Sequence, residues 1–284
     1  MTIQWFPGHM SKALRQAEEK LKYVDIILEL RDARIPYASS NPKIEVIIKN
    51  KPRLILLNKA NMADRKKTSE WIKYYENNGV KTLDIDSITG YHIDNIIPIS
   101  REVLKDVLIK EKQKGIKSRP IKAMIIGIPN VGKSTLINTL AKRKVAQTGN
   151  KPGVTKNLQW INVKEEMMLL DTPGVLWPKF KDQFVGLRLA VTGAIKDNIL
   201  ALDDVCMFAL DFLKDNYPNE LSVRYNLETL PDNNLDILEQ IGRNRGCLLP
   251  GNKINYDKVI DIILYEIRNE KIGKITFELP TDIK

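Results

Sequence analysis

"IIGIPNVGKSTLIN", residues 125–138, decides how this chain is read. An apolar run enters a glycine-bounded turn and leaves it as a helix-forming stretch, and residues 127–134 fit G-x-x-x-x-G-K-[ST], the phosphate-binding loop. Each residue type there has a physical reason. Gly127 and Gly132 let the backbone turn its N–H groups toward phosphate. The helix from Ser134 aims its N-terminus at the same negative charge. Lys133 brings a mobile cation to the outer phosphates, and the Ser134 hydroxyl can ligate Mg²⁺. Asn130, Val131, Gly132 and Thr135 complete the wrap. The position is unusual, because the strand carrying such a loop normally opens its domain and here it starts near residue 121.

Downstream, "LLDTPG" (169–174) ends an apolar run with Asp171, a carboxylate that can hold Mg²⁺, and Gly174 can offer its N–H to a γ-phosphate. Thr155 in "NKPGVT" is the candidate second hydroxyl on Mg²⁺. A guanine switch also needs an N-K-x-D strand end, and none follows residue 174. It lies upstream as "LLNKAN" (56–61), giving Asn58, Lys59 and Asn61. "DSITG" (86–90) follows the next strand, where the second base loop belongs, giving Asp86 and Ser87. The base-reading loops therefore precede the phosphate loops. The same sheet is built with its strands connected in a different sequence, which is possible when the old termini lie close together.

The rest of the chain supports a sheet with helices on both faces. "VDIILEL" (24–30), "RLILLN" (53–58), "VKTLDID" (80–86) and "IKAMIIG" (121–127) read as buried parallel strands. Helices are expected over 11–22, from Pro42 to about Lys49, over 64–78 and over 93–114, and "LQWINV" and "EMMLLD" as a hairpin turning at Lys164–Glu165. After residue 179 the texture becomes helical. "DDVCMFALDFLKDN" and "NYDKVIDIILYEIRNE" carry apolar residues at helical spacing behind Asp203 and Asn255, and 273–279 reads as one short strand. The expected fold is α/β: a circularly permuted P-loop domain, with a mostly parallel sheet, over 1–178 and a smaller helical domain over 179–284.

Charge adds a partner. The chain carries a net charge of +10. Residues 1–178 hold 31 Lys+Arg against 18 Asp+Glu, and residues 179–284 hold 14 against 17, so the basic excess lies with the phosphate loop. Lys142, Arg143, Lys144, Lys151 and Lys156 fall in one acid-free stretch. A polyanion such as nucleic acid fits that distribution. No apolar run approaches the ~20 residues of a membrane span. "MTIQWFPGHMSK" lacks the apolar core of a secretory signal, and Cys206 and Cys247 have no metal-site spacing, which together point to a reduced cytoplasmic protein.

The permuted order, with "WFPGHM", "DARIP", "GIPNVGKSTLIN", "TGAIKD" and "IGRNRGC", resembles the circularly permuted GTPases of bacterial ribosome assembly, of the RbgA/YlqF type. The resemblance covers almost the whole chain. It implies a cytoplasmic GTPase that binds the immature large (50S) ribosomal subunit late in assembly, and a C-terminal helical domain that contacts ribosomal RNA; the chain is expected to be a monomer.

Two positions depart from a standard switch. Asn61 replaces the carboxylate that accepts from guanine N1–H and its 2-amino group, a mismatch of ~1–3 kcal/mol that predicts weak GTP binding and reduced discrimination against xanthine nucleotides. Val175 follows "DTPG" where many such GTPases place a water-orienting glutamine, and valine has neither donor nor acceptor. Hydrolysis is therefore expected to be slow alone and to depend on the particle. The alternative these two departures support is a non-enzymatic RNA-binding scaffold with a vestigial nucleotide site. The vacant water-orienting role points to His9, on an arm anchored by Trp5 and Phe6, as the catalytic imidazole beside Lys133. Asn130 resembles the asparagine that holds K⁺ in related GTPases, where the cation supplies charge that other switches take from an arginine finger. Hydrolysis is expected to run faster in KCl than in NaCl at matched ionic strength; equal rates would remove the K⁺ role.

Overall fold

The structure, a computed structural model, describes residues 9–48, 51–146, 159–174 and 182–283, with side chains from Arg15 onward. Its centre is strand β1 (Ile26–Asp32), all seven residues of which are buried. Parallel to it on one side lies β2 (Arg53–Asn58), followed by β3 (Lys81–Asp84). On its other side lies β4 (Ile121–Gly127). The hairpin β5 (Gln159–Val163) and β6 (Met167–Asp171) completes the sheet, with β6 parallel to β4 and β5 antiparallel at the edge. The spatial order is β3-β2-β1-β4-β6-β5. The hairpin turns where expected, with Lys164 and Glu165 both at positive φ, the backbone that matches strand twist in a two-residue turn.

This register brings the site together. Asp32 faces Asn58, Leu30 faces Gly127, and Ile125 faces Asp171 across the ladders. The carboxyl ends of β2, β1, β4 and β6 therefore line one rim. β1 is the strand from which the sheet grows in both directions, the place where open parallel sheets hold ligands. The base strands sit on one side of it and the phosphate strands on the other, although the base strands come first in the chain.

Helices α1 (His9–Lys20), α2 (Pro42–Ile48), α3 (Arg65–Asn77), α4 (Ile96–Val103), α5 (Lys105–Gln113) and α6 (Lys133–Ala141) cover the two faces. The single helix expected over 93–114 is two, because Leu104 leaves helical geometry at φ −92°, ψ 6° while its side chain drops into the core. Near the chain start, Ala17 and Leu21 pack on a cluster containing Met124, Ile126 and Leu170, so α1 rides on the strands that carry the phosphate loop and Asp171.

The remainder is α7 (Gln183–Val191), α8 (Leu202–Asn216), α9 (Pro218–Tyr225), α10 (Asn234–Asn244), the two-residue strands β7 (Leu248–Leu249) and β8 (Lys253–Ile254), and α11 (Tyr256–Arg268). Asn255 caps α11 by accepting from Lys258 N, as the sequence implies. Asp203 is not a cap: α8 begins one residue earlier, and Asp203 sits in its first turn, where a negative charge favours the helix dipole. One contiguous core includes Leu28, Leu56 and Ile125 of the sheet together with Val205, Leu238, Ile263 and Phe277. Cys206 and Cys247 are free and buried in it. Among the described residues no helix is long and apolar enough to cross a membrane.

The strand expected over 273–279 does not form. The segment is extended but joins no ladder, because it lies against loops rather than a strand. Ile275 N donates to Met62 O at 3.1 Å and Phe277 N to Arg34 O at 2.8 Å. The strap is held by further bonds: Trp71 Nε1 donates to Glu278 O at 3.1 Å, Asp64 N to Thr276 Oγ1 at 3.0 Å, and Tyr37 N to Glu278 Oε2 at 2.6 Å. Burial pushes the Glu278 carboxyl up to about 7, against the pull of Arg188 and the Tyr37 and Ala38 amides. Phe277 is fully buried, its ring 4.9 Å from that of Phe212. Phe277→Ala is expected to cost about 3–5 kcal/mol in denaturant unfolding. A loss below about 1 kcal/mol would show that the strap is not part of the core.

Candidate nucleotide site

Glycine is required at both ends of the phosphate loop. A Cβ on Gly127 would stand 2.6 Å from Leu30 O, and one on Gly132, at φ +101°, would stand 2.4 Å from Asn58 Nδ2. The loop thus packs its backbone against β1 and the base loop and leaves its inner side for an anion. Lys133 is buried, and its ammonium donates back to Gly127 O and Ile128 O at 3.3 Å each. Burial pushes its pKa down to about 8, opposed by the charge of Asp171. Phosphate there would restore the ordinary protonation. Ser134 and Thr135 open α6, both half-buried at the same mouth.

The "DTPG" segment abuts this loop. Asp171 is fully buried at the end of β6, Thr172 Oγ1 donates to Ile125 O at 2.7 Å, and a Cβ on Gly174 would meet Lys133 Nζ at 2.9 Å and Pro129 at 3.0 Å. Gly174 is therefore where a γ-phosphate held by Lys133 would be felt.

Asn58 connects the two halves. Its Nδ2 donates to Val131 O at 2.7 Å, and its Oδ1 accepts from Ser87 N at 3.0 Å and Ser87 Oγ at 2.8 Å. Asp86 shapes the second base loop, accepting from Ile88 N at 2.7 Å and Thr89 N at 3.1 Å. Lys59, at φ +61°, pairs with Asp32 at 2.9 Å. Burial lowers the Lys59 pKa, partly offset by Asp32. For Asp32 burial acts in the opposite sense, yet the Arg34 guanidinium and Lys59 outweigh it and hold the carboxyl well below the usual carboxylate range. Asn61 is half-buried on the rim beside Met62. His92 lies away from these groups, its ring 3.0 Å from Asp84 O and stacked on Tyr91.

Sequence reading missed the far wall. The cleft, about 940 Å³, is lined by Asn58, Lys59, Asn61, Asp86, Ser87, Asn130, Gly132 and Thr135, and equally by Arg34, Thr192, Gly193, Lys196, Tyr265 and Glu270. Asn130, at φ +58°, donates through Nδ2 to Gly193 O at 3.0 Å. Arg34 donates to Thr192 O at 3.2 Å, and Arg268 to Ala190 O at 2.8 Å and Val191 O at 3.2 Å. The carbonyls at the end of α7 are thus held by the phosphate loop, by the residue after "DA" of "DARIP", and by α11. No local spacing announces these partners, which lie 63 to 158 positions apart for the first two bonds.

The His9 backbone begins α1, but its side chain, Thr155 and Val175 lie outside the described residues. No group of three His, Cys, Asp or Glu able to hold a metal occurs among the described residues. The hydroxyl of Ser134 and the carboxylate of Asp171 are hard oxygen donors of the kind Mg²⁺ takes alongside phosphate and water.

Comparison with known proteins agrees with this geometry. Residues 122–240 match the family model described as 50S ribosome-binding GTPase. Over 283 residues the chain is 55% identical to ribosome biogenesis GTPase A of Bacillus licheniformis, covering 100% of both chains. It is 32% identical to the probable ribosome biogenesis GTPase A of Mycoplasma genitalium, covering 98% of this chain and 97% of the relative. In fold it is similar to GNP-bound YlqF from T. maritima, with a TM-score of 0.65 over 96% of this chain and 100% of that one at 24% identity. A GDP-bound TM YlqF gives 0.68 over 94% and 100%, also at 24% identity. On these matches, and on a cleft that joins phosphate and guanine loops in permuted order, the chain belongs to the ribosome biogenesis GTPase A family.

Proposed function

We propose that this GTPase binds the immature large ribosomal subunit in a late step of its maturation and that the particle stimulates hydrolysis. The observation that carries the reading is the placement of the basic, acid-free run. Lys142, Arg143 and Lys144 follow the end of α6 as exposed residues, and α6 is the helix whose first residue is Lys133. RNA phosphates drawn to those side chains sit one short helix from the nucleotide. The helical region over 179–284 is the second RNA-facing element, and 1–178 the nucleotide domain.

The residue roles that go with this reading are as follows. Asn58, Lys59, Asp86 and Ser87 position the base; Asn130 to Thr135 and Gly174 hold the phosphates. Ser134, Thr155 and Asp171 would hold Mg²⁺, which would supply positive charge against the phosphates. Asn130 spends its Nδ2 on Gly193 and keeps Oδ1 for a K⁺ ion. His9 orients or deprotonates the attacking water, supported by the seat of α1 on the strands that lead to Lys133 and Asp171.

Co-sedimentation with 50S particles is expected with GTP or a non-hydrolysable analogue and to weaken with GDP. Binding indifferent to nucleotide would overturn the proposal. Single-turnover hydrolysis is expected to rise at least tenfold when particles are added. His9→Ala should leave nucleotide affinity within about twofold and remove most of that stimulation; a wild-type rate on the particle would reduce the arm to a docking element.

A further inference from the structure

The base loop offers guanine no carboxylate. Asn61 stands in that place, and Asp64, the nearest acid in sequence, is committed elsewhere. Its Oδ1 caps α3, accepting from Lys66 N at 2.8 Å and Lys67 N at 3.2 Å, and its Oδ2 accepts from Tyr217 OH at 3.3 Å. Three acids line the cleft: Asp86, Asp197 and Glu270. Both oxygens of Asp197 take the Arg268 fork at 2.8 Å. Asp86 spends Oδ1 on its own turn, and its Oδ2 is buried from the surface with no hydrogen-bond partner among the described residues. Glu270 is half-buried and has no hydrogen-bond or ion-pair partner among the described residues. The segments outside the described residues contain no Asp or Glu.

The backbone at Glu270 is held in place. Its φ is +58°, a left-handed conformation that costs a non-glycine residue about 1 kcal/mol and persists only when its surroundings impose it. On one side, Lys271 N donates to Glu266 O at 2.9 Å and ends α11. On the other, the strap reaches the base loop itself, where Ile275 N bonds Met62 O, next to Asn61. A carboxylate free of partners among the described residues, on a left-handed backbone between the end of α11 and a strap that bonds the base loop five residues on, is arranged for a ligand with donors.

We propose that Glu270 is the guanine-reading carboxylate of this GTPase, accepting from N1–H and the 2-amino group in place of the acid missing at 61. The base site is then completed by the C-terminal region, and guanine preference is retained where the sequence alone predicts that it falls.

The test is equilibrium binding of GTP, ITP and XTP to the full chain. Wild type is expected to prefer GTP over both. Glu270→Gln keeps the shape and removes one acceptor; it should weaken GTP roughly tenfold or more while changing XTP little. Asn61→Asp supplies the acid locally, so the double variant Asn61→Asp/Glu270→Gln should regain tight GTP binding, which also shows that the Gln variant is folded. The proposal is overturned if Glu270→Gln binds GTP within twofold of wild type. It is equally overturned if GTP and XTP weaken alike, or if the loss disappears with 2′-deoxy-GTP, which would place the carboxylate on the ribose.

Discussion

One amide joins the two halves of this nucleotide site. Asn58 donates its N–H to Val131 O of the phosphate loop and accepts at Oδ1 from Ser87 N and Oγ of the second base loop, with all three bonds buried. Left unmade in so dry a place, each would cost about 1–3 kcal/mol, so the three loops hold one relative position or none. Gly132 is a consequence: the amide comes so close that no side chain fits there. The bond also explains why strand order along the chain is free to change. The loops are connected by a side chain, and a side chain does not depend on which strand was made first.

Charge is concentrated around the same rim. Asp32 at the end of β1 holds Arg34 and Lys59 at once, and Arg34 passes the connection to the end of α7. A buried cluster of two cations and one anion is expensive to build and expensive to break. It fixes Lys59 in a left-handed turn with its stem available to lie over a base. Lys133 is the counterpart on the other side of the cleft, a buried cation folded onto its own loop's carbonyls.

The legible parts of the sequence were those whose chemistry is local. The phosphate loop, "DTPG" and both base loops could be read because each needs particular residue types within about four to eight positions, and the buried strands because continuous apolar runs have one ready explanation. The order of motifs then gave the permuted sheet. What could not be read depends on distant partners. α7 and the β7–β8 pair left no pattern strong enough to place. The strap looked like a strand because alternation reports an extended chain and not whether a ladder receives it. Asn130 could be assigned to the phosphate loop, but nothing nearby revealed that Gly193 would take its amide. The residue at 61 was correctly seen to lack an acid, whereas an acid at 270 has no motif to mark it.

The strap gives the molecule an order of completion. Glu278 bonds to Tyr37 and Ala38 across 241 and 240 positions, and Trp71 reaches it across 207. Contacts so distant in sequence form late, since the loop they close must first lose its freedom. During synthesis the guanine loops emerge before the far wall and the strap. Until residues 275–278 are made, Trp71 Nε1 and the Met62 carbonyl beside the base loop lack the partners that the folded chain gives them.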